Sequence, residues 1–170
     1  MGSSFRNIQV YNPGHKNQYE LEEDYCIEHL TSDWDTILED NIETEFEDVR
    51  EEDVVLSKRL DTPVISVNYF DDMIFAIEVF EGGESIAYHF VGDEEMDTKN
   101  VQGLIKALRL EPELEIPFRT VIKKVDFAPV SMQLIEDLAR IPISADFIKD
   151  KEDYYSFRDR KEVLEEIAEF

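Results

Sequence analysis

The sequence predicts an α+β domain in which a small antiparallel β-meander, about three to four strands, packs against several amphipathic helices. Three observations carry that expectation. Three β-branched and aromatic runs, Val64–Phe70, Met73–Phe80 and Ser85–Val91, are joined by Asp71-Asp72 and by Gly82-Gly83, which are short turn signals between strands. Flanking segments instead space their apolar residues by three and four, as helices do. With 42% hydrophobic and 11% aromatic residues, the chain has enough apolar surface for one core, so its acidity does not imply disorder.

Taken in order, Phe5–Tyr11 is short and partly alternating and ends at Asn12-Pro13-Gly14, which reads as a strand closed by a turn. Leu21, Tyr25 and Leu30 recur at roughly helical intervals between acidic residues, and Thr31-Ser32-Asp33 offers a cap before Trp34, Ile37, Leu38 and Ile42; two acidic amphipathic helices are expected here. A third helix is expected from Glu51 to Leu60, stopped by Thr62-Pro63. In the meander, Asp tolerates left-handed backbone at the first turn, and Gly82-Gly83 permits positive φ at the second. Beyond Gly92 four helices are expected. The first is capped by Asp97 or Thr98; the second and third begin at Pro117 and Pro129; the last follows Ser156-Phe157-Arg158-Asp159. The 170 residues are read as a single domain with an acidic helical part (1–62), the meander (63–92) and a helical part (93–170).

Charge is the strongest functional clue. The formal net charge is −24, from 41 acidic and 17 basic residues. Residues 20–53 hold 16 acids against Arg50 alone, and residues 71–97 hold nine acids with no Lys or Arg. Such a surface repels phosphates and excludes a general nucleic-acid binder. No apolar run reaches the length of a membrane span and no signal-peptide core is evident; with a lone Cys26 and hence no internal disulfide, a cytoplasmic protein is expected. Charge runs most often serve solubility, but fields of this size also steer basic partners.

Individual candidates are weaker. Asp71 and Asp72, with Asp93, offer oxygen ligands for Ca²⁺ or Mg²⁺, yet their spacing fits no EF-hand and a strand turn explains the pair. Cys26 and His29 lie three apart, with His15 the only other histidine in this half. Zinc needs three or four ligands, so Cys26 reads as a small core residue, and acidic neighbours disfavour its thiolate as a nucleophile. His89 could act as a base oriented by Glu78 or Asp93, but between Tyr88 and Phe90 a half-buried structural histidine is the plainer reading. Trp34 could anchor a partner, although the spacing of Ile37, Leu38 and Ile42 favours the core. No phosphate loop, nucleophile elbow, zinc-protease or dinucleotide-binding motif occurs, and no cofactor is expected.

The run from Leu56-Ser57-Lys58 through Thr62-Pro63-Val64, followed by Tyr69-Phe70-Asp71-Asp72 and a Gly turn, resembles a set of uncharacterised small acidic proteins of Gram-positive bacteria. The resemblance spans about residues 34–143; it implies a cytoplasmic accessory protein and carries across no catalytic residue. The resulting expectation is a non-enzymatic acidic module that neutralises a basic protein partner, in the manner of an immunity-type inhibitor of a nuclease-like toxin. Its contact residues would be Glu39, Asp40, Glu43, Glu45, Glu47 and Asp48, with Trp34 as anchor. Two alternatives are a DNA mimic that blocks a DNA-binding protein, and a small divalent-cation-dependent enzyme using Asp71, Asp72, Asp93 or His89.

Overall fold

In the computed structural model, which describes residues 2–39, 49–146 and 155–170, seven strands form one antiparallel sheet. They are β1 (Phe5–Tyr11), β2 (Tyr25–Glu28), β3 (Trp34–Glu39), β4 (Val64–Phe70), β5 (Ile74–Glu81), β6 (Glu84–Val91) and β7 (Met96–Lys99), in the spatial order β2-β3-β1-β4-β5-β6-β7. The helices are α1 (Val49–Arg59), α2 (Val101–Ala107), α3 (Glu115–Lys124), α4 (Ala128–Ala139) and α5 (Arg160–Ala168). The chain is therefore α+β, but the expected sheet of three to four strands is too small. The meander is β4–β6, extended by β1, β3 and β2 on one side and by β7 on the other.

The difference lies where helices were expected. The stretches around Tyr25 and Trp34 form the β2–β3 hairpin, in which Ile27 pairs with Ile37 and Cys26 with Leu38. Residues 34–38 are buried in succession because β3 lies between β2 and β1 and both its faces are covered, so the alternation that marks a one-sided strand is absent. The meander turns form as the residue types dictate: Asp71 and Asp72 take φ of 50° and 57°, and Gly82 and Gly83 take 60° and 87°. Asn100, with φ of 60°, caps α2 by accepting from Gly103 N at 3.0 Å; Asp97 and Thr98 lie within β7 instead.

Alternation along the strands sorts the two sheet faces. On one, Ile65, Val67, Phe75, Ile77, Val79, Ala87 and Val91 pack against Leu104, Leu108, Phe118, Val121, Leu134 and Leu138 of the C-terminal helices. Trp34 belongs to this core at 5% exposure, edge-on to Tyr11 at 5.4 Å. On the other face α1 lays Leu56 over Ile8, Val10, Ile37 and Val64, and Ser57 Oγ accepts from Gly83 N at 2.9 Å. Several buried polar groups pair across long sequence separations: Asn7 Nδ2 donates to the Ile143 carbonyl at 2.7 Å, Gln9 Nε2 to that of Pro142 at 3.0 Å, and Thr36 Oγ1 to Gln9 Oε1 at 2.9 Å. Beyond α4, Glu136 and Asp137 hold the returning chain: Glu136 Oε2 accepts from Ser144 N (2.6 Å) and the Tyr155 hydroxyl (2.7 Å), and Asp137 Oδ2 from Arg158 Nε (2.7 Å).

Candidate functional site

Two features stand out, one a side-chain cluster and the other a surface. The cluster forms where the turn after β1 meets the β2–β3 hairpin. Asn12 N donates to the Asp33 carbonyl at 2.8 Å and Gly14 N to that of Ser32 at 2.9 Å. Gly14 and His15 then adopt left-handed backbone, with φ of 65° and 52°, which folds the His15 ring back onto β3. There Nδ1 lies 2.5 Å from Asp35 Oδ1, while Nε2 lies 2.7 Å from the Thr31 carbonyl oxygen. His29, from the hairpin, stacks on the His15 ring at 3.8 Å and places Nε2 at 3.5 Å from the same Asp35 Oδ1. The other carboxylate oxygen of Asp35 accepts from Asn12 Nδ2 at 2.7 Å and from the Tyr19 hydroxyl at 2.8 Å. Burial and the neighbouring Asp35 push the Tyr19 hydroxyl up, so it stays a donor.

Among the described residues, His15, His29 and Asp35 are the one group of three or more metal-ligating side chains that converge. The sequence points to the two histidines but misses Asp35, which an expected exposed helix keeps apart from them. Cys26 packs with Leu30, Leu38 and Ala145, away from this group. Asp71, Asp72 and Asp93 do not come together as a ligand set. Instead Asp71 Oδ1 accepts from Gly2 N at 2.7 Å, Asp71 N donates to Ser4 Oγ at 2.9 Å, and Asp72 accepts from the Tyr69 hydroxyl; the pair ties the first turn to the N-terminal residues.

His89 is fully buried rather than half-buried. Its Nδ1 lies 2.7 Å from Thr98 Oγ1 and its Nε2 3.4 Å from Ser131 Oγ, and burial lowers its pKa to about 4. Glu78, expected as an orienting partner, occupies the opposite sheet face beside Tyr88, so no base–carboxylate pair forms with it. Ser131 is buried as well, and the trio is packing.

The surface is the half of the second sheet face that α1 leaves open. Strand register puts Ala76 beside Phe90 and Phe90 beside Asp97, and puts Glu78 beside Tyr88 and Tyr88 beside Lys99. Ala76, Glu78, Tyr88, Phe90 and Asp97, with Glu95, line a shallow groove of about 450 Å³. The Tyr88 hydroxyl donates to Asp97 Oδ2 at 2.5 Å. At one end Phe70 is 54% exposed and Met73 47%. Strands β4, β5 and β6 contain no Lys or Arg, and Lys99 is the only one in β7. Twelve of the 17 basic residues follow residue 98.

Comparison with protein-family models, with curated proteins and with solved structures finds no match to this chain. Of the contact residues expected from sequence, Asp40, Glu43, Glu45, Glu47 and Asp48 lie outside the described residues. Glu39 is turned inward, where it pairs with Arg6 under α1. Trp34 is buried, and at that depth it is a core residue rather than an exposed anchor. No helix among the described residues is long and apolar enough to cross a membrane.

Proposed function

We propose that this protein is a non-enzymatic binding module that captures a basic protein partner, an immunity-type inhibitor of a nuclease-like enzyme being the form that best fits its chemistry. The observation that carries the reading is the open sheet face. It combines partly exposed aromatic rings, Tyr88 and Phe90, with the carboxylates of Glu78, Glu95 and Asp97, and it is flanked by Phe70 and Met73. Aromatic anchors supply most of the energy in such contacts, while surrounding charge accelerates encounter and sets the choice of partner. A nuclease must present a basic substrate groove. Carboxylates seated in its phosphate subsites exclude nucleic acid with no chemistry on the inhibitor's side.

The test is affinity capture from the source organism's lysate at low salt, with the native protein and with the D93K/E95K/D97K variant as parallel baits. The reading expects a basic protein retained by the native bait, lost from the variant and released by salt. Once purified, that protein should lose its activity on nucleic acid when the native module is added. Retention of the same proteins by both baits would count against the sheet face.

A further inference from the structure

We propose that His15, His29 and Asp35 form a binding site for one transition-metal ion of the Zn²⁺ class, held by His15 Nδ1, His29 Nε2 and Asp35 Oδ1, with a fourth position open to water. The argument begins with hydrogen-bond roles. The Thr31 carbonyl only accepts, so the His15 Nε2 that lies 2.7 Å from it carries a proton. In the neutral ring Nδ1 then bears a lone pair, and that lone pair faces the Asp35 carboxylate oxygen at 2.5 Å. Two such atoms facing each other are joined by a cation, either a proton or a metal ion. A proton joins only one histidine to the carboxylate, whereas His29 Nε2 lies 3.5 Å from the same Asp35 oxygen, so two imidazoles converge on one buried carboxylate. The two rings stand stacked, 3.8 Å apart and 10° from parallel, and an imidazole lone pair lies in its ring plane. One metal ion therefore takes all three donors once the largely exposed His29 ring turns out of the stack.

The surroundings are those of a ligand set. Histidines that bind metal characteristically donate their second N–H to a carbonyl or carboxylate, and ligating carboxylates are themselves hydrogen-bonded. Here His15 donates to Thr31, while Asn12 and Tyr19 hold the Asp35 oxygen that the histidines do not share. Asp35 is buried and its side chain is 2% exposed, whereas that of His29 is 54% exposed; the carboxylate is therefore fixed and one histidine can adjust. Ligand bonds of about 2.0–2.2 Å in a tetrahedral site separate neighbouring donor atoms by about 3.3 Å. The 3.5 Å from His29 to Asp35 already fits, and His15 must open by less than about 1 Å. Two imidazoles and one carboxylate suit Zn²⁺ better than the all-oxygen shells of Ca²⁺ or Mg²⁺. The ion would join the turn after β1 to the β2–β3 hairpin, at the opposite end of the sheet from the open acidic face, so the site stands or falls independently of the proposed partner.

The experiment is calorimetric titration of the purified protein with Zn²⁺, alongside the visible spectrum of the Co²⁺ form, for the native chain and for the H29Q and D35N variants. The expected result is one Zn²⁺ per chain, Co²⁺ bands of a four- or five-coordinate ion with nitrogen ligands, and an affinity more than about tenfold weaker in H29Q. H29Q changes a largely exposed side chain, so its circular dichroism should match the native spectrum even if D35N fails to fold. Three outcomes would overturn the site: no Zn²⁺ binding, Zn²⁺ binding unchanged in H29Q, or equal binding of Zn²⁺ and Mg²⁺, which would reflect the acidic surface alone.

Discussion

Arg6 and the acids around it decide how the second sheet face tolerates its charge. Arg6 pairs with Glu39 and lies 3.6 Å from the fully buried Asp53 of α1. Replacing Arg6 by Met would leave carboxylates buried against an apolar neighbour, and a loss of about 3–5 kcal/mol in urea unfolding is expected; adding D53N should restore part of it. Burial outweighs the opposing Arg6 charge and raises the Asp53 pKa from 3.8 to about 6. The native state then binds this proton more tightly than the unfolded chain. Its contribution is present at pH 4 and is lost as pH rises through about 6, by up to about 3 kcal/mol. His89 acts in the opposite sense. Its native pKa of about 4 lies below the ordinary 6.5, so the stability it lends is complete at neutral pH and declines as pH falls from about 6.5 towards 4. Subtracting the D53N stability curve from the native one isolates the first effect. Ring resonances of His89 that stay neutral down to about pH 5 would verify the second; a midpoint near 6.5 would refute it.

At the scale of elements, local chemistry governs the turns and caps. Asn100 holds a left-handed backbone and also accepts from Gly103 N, so N100A should cost about 1–2 kcal/mol, while N100G, which relieves the backbone, should cost less. Thermal or urea melts of the two variants check this order. The same locality explains which elements were legible in the sequence. The meander, α1 and the C-terminal helices announce themselves through turn residues, prolines and spacing within each segment. The β2–β3 hairpin does not, because the groups that make it a hairpin lie elsewhere in the chain: Asp35 and Thr36 can be buried in β3 only because Asn12, His15, Tyr19 and Gln9 reach them. The four residues of β7 alternate in burial, but they are too few to stand out against the helical spacing that starts at Val101. The candidate sites divide in the same way. The acidic run from Asp71 to Asp97 is visible as composition, whereas the place of Glu78, Glu95 and Asp97 on an open aromatic face requires the strand register. The histidines are visible, and their convergence on Asp35 is not.

Across the whole molecule the charges are segregated, with most basic residues after residue 98 and most acids before it. Self-repulsion among the acids should be relieved by monovalent salt, so the melting temperature should rise between low and physiological ionic strength; a flat response would mean that the acids are already well separated. On the binding reading the same salt must weaken partner capture, so stability and affinity should respond to ionic strength in opposite directions. The central claim, that the open face of β4–β7 receives a basic protein, is tested most directly by stopped-flow association of the purified captured partner with three forms of the chain. These are the native protein, D93K/E95K/D97K, and a variant reversed at Glu43, Glu45, Glu47 and Asp48. Association with the sheet-face variant should be slower by about tenfold or more at low salt, with the difference shrinking as salt is added. An unchanged rate for that variant, with the loss confined to the reversal at residues 43–48, would contradict the claim.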